Sequence, residues 1–241
     1  MGKTALALNI SDHVAFNMNV PVLFVSLEMG HIEIADRLLC ARSRVDGHKL
    51  RTGLGMGMRE MQALSKAFNQ LSGDGKMFID DTPARSMIQI AASARRIRRR
   101  NKVGLILVDY IQLVDSEESR DSRQEQIAKI SRRLKMLARD LKIPVIAMSQ
   151  LNRAVENRED KKPRLADLRE SGAIEQDADI VLLLHRPEYY DANDQPGVAE
   201  LNIAKNRNGP TGSIKLTFLN TITRFENLAT LAEPFDEGRP F

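Results

Sequence analysis

Tryptophan is missing from these 241 residues, cysteine occurs once, and aromatic side chains of every kind make up only 5%. A lone Cys40 cannot form an internal disulfide and offers no metal-ligand pair; it reads as a small buried hydrophobe in a helix. His13, His31, His48 and His185 show no ligand spacing either. No apolar run approaches the roughly 18 residues of a membrane-spanning helix, and no basic-then-apolar leader opens the chain, which points to a soluble, cytoplasmic protein without a membrane partner. Internal repeats and low-complexity tracts are absent as well.

What is present is an ordinary globular composition, 42% hydrophobic and 28% charged, enough to bury the core of one α/β domain with a short appendage. The formal charge of +4, from 36 basic and 32 acidic residues, permits a nucleic-acid partner without requiring one.

Short apolar runs alternate with amphipathic segments. PVLFVS (Pro21 to Ser26), Met77 to Ile79, GLILV (Gly104 to Val108), PVIAM (Pro144 to Met148) and IVLLL (Ile180 to Leu184) read as strands. The near-continuous runs are those of parallel strands covered on both faces, and the run at 180–184 reads as another central strand. Helical spacing runs from Ile32 to Ala41 and from Ser86 to Arg100, and Ile127, Ile130, Leu134, Leu137 and Leu141 share one helix face. Later segments at 199–204, 213–218 and 223–226, separated by Asn-Gly-Pro and Asn-Thr turns, read as antiparallel strands finishing the sheet. The expected fold is therefore α/β: a mostly parallel twisted sheet with helices on both faces, antiparallel strands near the C-terminus, and a ligand crevice at the carboxyl ends of the parallel strands. Residues 1–230 form the domain and 231–241 a tail. Segments 115–125, 152–170 and 188–198 are long, polar connections of the kind that carry function.

Gly2-Lys3-Thr4 running into ALALNI has the form of the end of a phosphate-binding P-loop, G-x-x-x-x-G-K-[ST]. Glycine lets backbone N–H groups approach phosphate, the lysine reaches the β and γ oxygens, and the threonine hydroxyl holds Mg²⁺. Three residues are a weak signal alone, but polar side chains also end three of the apolar runs. Asp109 follows GLILV, where an acid can hold the Mg²⁺ shell through water; Glu28 follows PVLFVSL, where a carboxylate can polarise an attacking water; Gln150 follows PVIAMS, where an amide can sense a γ-phosphate. Together they point to a P-loop NTPase that uses ATP and Mg²⁺.

SLEM (Ser26 to Met29), DYIQL (Asp109 to Leu113), SQLNR (Ser149 to Arg153), DLRESGAIEQDAD (Asp167 to Asp179) and KNRNGPTG (Lys205 to Gly212) then occur in order, with RVDGHKLRTG (Arg44 to Gly53) as a softer match. In these motifs the chain resembles the C-terminal RecA-like motor domain of DnaB-type replicative DNA helicases, from Gly2 to about Asn227. The resemblance implies an ATP-hydrolysing motor that translocates on single-stranded DNA and unwinds duplex, assembled as a homo-hexameric ring with ATP bound between subunits. It also implies primase and helicase-loader partners in a replisome. Carried over, Gly2, Lys3 and Thr4 bind phosphate and Mg²⁺, Glu28 is the catalytic base, Asp109 the Walker B acid and Gln150 the sensor. Lys205 and Arg207, which by themselves read as an exposed basic pair at a strand end, become a pair inserted into the neighbouring subunit's ATP site, with Arg207 the arginine finger. DNA contact is expected from the loop ending at Arg169, Glu170, Ser171 and Gly172, whose small residues and free N–H groups suit a backbone track, and more weakly from Arg120 and Arg123. The cluster Arg95, Arg96, Arg98, Arg99 and Arg100 closes a helix and reads as a solvated face.

Relative to the family pattern, the first half of the P-loop and the N-terminal helical domain with its linker are missing. The chain is therefore expected to be a fragment that binds nucleotide weakly and forms rings poorly. Two alternatives share parts of the pattern. One is a RadA-type recombination ATPase, whose KNRFG-like motif KNRNG resembles, although SLEM and DYIQL argue against it; the other is a binding module that keeps the DNA loops without hydrolysis. A motor acting on RNA is a further alternative, since a backbone track need not read the sugar.

Overall fold

The computed structural model describes residues 2–73, 75–116 and 121–228; the expected tail at 231–241 and the last two residues of the expected 1–230 domain lie outside them. The chain runs α1 (Lys3–Asp12), β1 (Val22–Ser26), α2 (His31–Ser43), α3 (Gly47–Thr52), α4 (Met58–Gly73), β2 (Met77–Asp80), α5 (Met87–Asn101) and β3 (Leu105–Asp109). It continues through α6 (Arg123–Leu141), β4 (Val145–Ala147), α7 (Gly172–Asp177), β5 (Ile180–His185), β6 (Val198–Asn206), β7 (Gly212–Leu219) and β8 (Arg224–Asn227).

Strands β1 and β3 explain the continuous apolar runs. Both are buried along their whole length, and successive side chains point to opposite faces of the sheet. Leu23, Val25, Ile106 and Val108 pack on Met87, Ile90 and Ala94 of α5 and on Ile127, Ile130, Leu134 and Leu137 of α6. Val22, Phe24, Leu105 and Leu107 pack on Ala7 and Leu8 of α1 and on Ile34 and Leu38 of α2. With helices on both faces no position in either strand can tolerate a polar side chain until the strand ends.

Among the described residues the strands form two sheets of four. The first is parallel, in the order β2-β1-β3-β4; the second is antiparallel, in the order β5-β6-β7-β8. The expected parallel sheet with helices on both faces and antiparallel strands near the C-terminus is thus the architecture found. Two strands differ from expectation in placement. β4 is the margin of the parallel sheet, with Val145 and Ile146 half-buried and Ala147 exposed. The IVLLL run is not a central parallel strand: β5 pairs antiparallel with β6, burying Val181, Leu183 and His185 while Ile180 and Leu182 are exposed. An unbroken apolar run hides that alternation, since its outward residues are as apolar as its inward ones.

α1 joins the sheets. Ala7 and Leu8 belong to the parallel-sheet core, and Ala5 packs with Ala199, Phe218 and Phe225 of the second sheet. Asn9 pins the contact, its side-chain carbonyl accepting from the Phe225 N–H at 2.8 Å. Helices α5 and α6 begin where Ser86/Gln89 and Ser122/Glu125 form reciprocal capping boxes. The arginine cluster closing α5 is spread over its surface: Arg95 pairs with Asp140 at 2.9 Å, Arg98 donates to the Val103 carbonyl, and Arg96, Arg99 and Arg100 face outward. Cys40 is buried on α2. α4, not among the helices expected from the sequence, buries only Ala67 and leaves Met58, Met61 and Phe68 exposed. No helix among the described residues is long and apolar enough to cross a membrane.

Gly104, just ahead of β3, sits where a Cβ would stand 2.3 Å from Cγ1 of Val20, while its N–H donates to the Pro21 carbonyl at 2.8 Å. Gly104→Ala is therefore expected to destabilise the fold by about 1–3 kcal/mol through overpacking. Equilibrium urea unfolding checks this, and an unmoved midpoint would show that Val20 yields without cost.

Candidate nucleotide site at the carboxyl edge of the parallel sheet

The parallel strands all end at one edge, and the backbone ladder continues past them. The Leu27 N–H donates to the Asp109 carbonyl at 2.8 Å, Met148 N–H to the Val108 carbonyl at 2.9 Å, and Ile111 N–H to the Met148 carbonyl at 3.0 Å. These bonds hold the segments carrying Glu28, Asp109 and Gln150 side by side. Beyond β1, Ser26 Oγ donates to the Met29 carbonyl at 2.6 Å and accepts from the Met29 N–H at 3.2 Å. That turn buries Met29 and leaves Glu28 exposed at the crevice.

The start of α1 faces the same edge. Gly2 has φ of 101°, a left-handed conformation open to glycine, and a Cβ there would meet the Phe225 ring at 3.3 Å. One residue into the helix, Thr4 Oγ1 donates to Asp109 Oδ2 at 2.6 Å. Asp109 is 1% exposed, and its Oδ1 has no partner among the described residues. A buried carboxylate with a free oxygen beside a threonine hydroxyl is the donor set that suits a hydrated divalent cation, so the residues fit Mg²⁺. Lys3 lies with Nζ 4.2 Å from the centroid of the Tyr110 ring. Burial pushes its ammonium below the ordinary lysine value, partly opposed by the negative charges of Asp109 and Glu28. Burial likewise raises the Tyr110 hydroxyl, with Glu28 and Asp109 adding to the effect. A half-desolvated cation facing two carboxylates is a ready partner for phosphate oxygens.

Gln150 is exposed, and its backbone is clamped by the side chain of Gln112. The Gln112 carbonyl accepts from Gln150 N–H at 3.2 Å, while its amide donates to the Gln150 carbonyl at 3.1 Å and to Ser149 Oγ at 2.9 Å. Gln112 thus fixes the Gln150 segment to the turn after Asp109. It lies within the DYIQL motif, but periodicity gives no reason to single it out.

The structure gathers Gly2, Lys3, Thr4, Glu28 and Asp109 around one point, with Gln150 on the adjoining segment. Lys205 and Arg207 lie elsewhere, against α7, where Lys205 Nζ donates to the Glu175 carbonyl and Arg207 to the Gln176 carbonyl at 2.5 Å. The stretch expected to be a DNA loop is a 3-10 helix over Leu165–Ser171 leading into α7. It is anchored by buried Leu168 and by Asp167, which accepts from the Arg164 N–H at 2.6 Å and from Arg158 at 2.8 Å. Short-range turn bonding, invisible to apolar periodicity, gives it that form. Gly172 is exposed with open space around it. The side chains of Arg169 and Glu170 lie outside the described residues, as does Arg120. Arg123 opens α6 with its guanidinium on the Gln112 carbonyl and on Gln126 Oε1 at 2.9 Å.

Sequence reasoning missed Arg186. It follows β5 directly, 9% exposed, with its guanidinium carbon 3.9 Å from the Phe218 ring centroid and an ion pair to Glu188. Its NH1 would lie 3.8 Å from a Cβ on Gly2, so it borders the phosphate-loop end. His185 is the polar residue that closes the apolar run, so the rule that found Asp109 stops one residue short of Arg186.

The family model for the DnaB-like helicase C terminal domain matches residues 1–227. The chain is 45% identical over 230 residues to the replicative DNA helicase DnaC of Bacillus subtilis (strain 168), covering 95% of this chain and 50% of that protein. Among solved structures it superposes on one described as an ATPase domain with a TM-score of 0.90 at 38% identity, over 95% of this chain and 81% of that one. The same score and identity relate it to a DnaB-like replicative helicase studied for its interactions with primase, over 95% of this chain and 55% of that one. The chain spans about half the length of the curated relatives it matches.

Adding Mg²⁺ with a non-hydrolysable ATP analogue is expected to raise the thermal midpoint, by mass action worth about 2.7 kcal/mol at a hundredfold excess over Kd. Thr4→Val should lose the Mg²⁺-dependent part of that rise. An equal rise in the variant, read by differential scanning fluorimetry, would remove Thr4 from the cation site.

Proposed function

Since this chain belongs to the DnaB-like helicase C-terminal domain family, we propose that it is the RecA-like, ATP-hydrolysing motor of a replicative DNA helicase, coupling hydrolysis to translocation on single-stranded DNA and to duplex unwinding in a homo-hexameric ring. The observation that carries the reading is the Thr4–Asp109 hydrogen bond of 2.6 Å, which unites the start of α1 with the end of β3, with Lys3 and Glu28 in electrostatic reach.

In this reading ATP lies along the carboxyl edge of the parallel sheet. The N–H groups at the start of α1 and the Lys3 ammonium bind its β and γ oxygens, drawing Lys3 off the Tyr110 ring. Thr4 Oγ1 and, through water, Asp109 would hold Mg²⁺, which when bound would supply positive charge against the negative charge developing on the phosphates. Glu28, exposed at the crevice, takes a proton from the attacking water. Gln150 faces the γ-phosphate, and its Gln112-clamped backbone passes the presence or loss of that group toward the segment ending at Gly172, where single-stranded DNA is tracked through its phosphates. Arg169, Glu170, Arg120 and Arg123 are the further residues we assign to DNA contact. Lys205 and Arg207 act on the ATP of the neighbouring subunit, with Arg207 stabilising the transferred phosphoryl group. Primase and a loader are the protein partners of this reading, and the cytoplasmic replisome is its place.

The test is ATP-dependent unwinding of a forked DNA. Glu28→Gln should retain nucleotide binding while kcat for ATP falls about 10²–10⁴-fold. Strand exchange without unwinding would favour a recombination ATPase instead. Arg207→Ala should lower kcat by about 10³-fold or more, and mixing it with Glu28→Gln subunits should restore activity, because some interfaces then combine an intact Glu28 with an intact Arg207. Mixtures no more active than either variant would refute action between subunits.

A further inference from the structure

Lys205 is the second-to-last residue of β6, and Arg207 opens the turn directly after Asn206. The pairing of β5 with β6 shifts between Val181↔Lys205 and Leu182↔Ile203, leaving Ala204 without an opposite residue. A bulge of this kind bends its strand and re-aims the side chains beside it. Here the re-aimed pair meets the C-terminal end of α7, where helix carbonyls lack intrahelical donors and favour cations. Lys205 takes the Glu175 carbonyl and Arg207 the Gln176 carbonyl.

One acidic residue organises the junction. Arg207 NH1 lies 3.3 Å from Asp179 Oδ1, and the Arg207 N–H donates to the Asp179 carbonyl at 2.9 Å, so both ends of the arginine are tied to the same residue. The other carboxylate oxygen of Asp179 pairs with Lys135 of α6. The hydrogen bond from Lys135, then the charges of Lys135, Arg207 and Lys205, hold the Asp179 carboxyl below its ordinary value, so it is anionic at neutral pH.

These contacts are poorly placed to stabilise the fold. The side chains of Asp179 and Arg207 are 52% and 47% exposed, and exposed ion pairs contribute little to stability. What they do is restrict direction. A guanidinium has more N–H donors than the contacts to Asp179 and Gln176 use, and with those two made, the remaining donors are held in one orientation on a long side chain that would otherwise sample many.

We infer that Asp179, braced by Lys135, is the positioning residue for Arg207, holding its guanidinium aimed for the phosphoryl group of a neighbouring subunit's nucleotide. The inference rests on the finger role given to Arg207 above and adds the residue that sets its geometry. Asp179 lies two residues past the end of α7, so the same residue ties the aim of Arg207 to the element that follows the 165–171 segment.

A double-mutant cycle in the assembled protein tests it, using Asp179→Asn, Arg207→Ala and the pair, with steady-state ATPase and thermal midpoint as readouts. Asp179→Asn is expected to lower kcat about 10–100-fold, as loss of alignment does, with KM for ATP and the midpoint little changed. In the Arg207→Ala background it should have no further effect. If the two losses multiply, or if Asp179→Asn leaves kcat intact or raises it, Asp179 does not position Arg207. If Arg207→Ala itself keeps full kcat, the finger assignment fails first and takes the positioning role with it; a slow Arg207→Ala with multiplying losses rejects the positioning role alone.

Discussion

Burial of the Asp109 carboxylate is the constraint around which the rest of the molecule is arranged. A charge that is 1% exposed is tolerated only with compensating partners, and those partners define the site. Thr4 Oγ1 bonds one oxygen, Lys3 lies close enough for its charge to be felt, and the second oxygen has no partner among the described residues. The burial follows from β3, which is covered on both faces along its length, so that its first polar side chain emerges where the helical layers end. The same geometry brings the ends of β1 and β4 alongside, and with them Glu28 and Gln150.

The second sheet does different work. Its inner face packs on α1 through Phe218 and Phe225, which steadies the helix that carries Lys3 and Thr4. Its far end bears Lys205 and Arg207, turned by the bulge onto α7 and Asp179. One half of the fold thus supplies the residues proposed to hold a triphosphate in the chain's own crevice, and the other carries the basic pair proposed to reach a neighbour's. α7 and Asp179 connect that pair to α6, whose Ile127, Ile130, Leu134 and Leu137 form part of the core beneath the parallel sheet.

Much of this was legible in the residues. Polar side chains after β1 and β3 pointed to the carboxyl edge, because a strand buried on both faces must stay apolar until it leaves its cover. The helix read from Ser86 is α5, which starts there on the Ser86/Gln89 capping box. Other features could not be read. Ile180 and Leu182 are exposed, yet match the buried Val181 and Leu183 in type, so nothing in IVLLL indicated which strand it would pair with. α4 carries helical apolar spacing, Met58, Met61, Leu64, Phe68 and Leu71, yet most of that face stays exposed, which its local pattern could not indicate. Arg186 follows His185 at the end of an apolar run, and the contacts that make it notable, to Phe218 and toward Gly2, come from segments distant in the chain.

By itself, the sequence determined the family, the strands that run through the core, and the polar residues that end those strands at one edge, because each depends on local pattern: the motifs in their order, the apolar run of a covered strand, the polar residue that follows it. Only the tertiary structure decided that β5 joins an antiparallel sheet, that Gln112 clamps Gln150, and that Arg207 leans on Asp179. Those contacts depend on strand register, on a one-residue bulge and on the path of the chain between segments far apart, and no local periodicity encodes them.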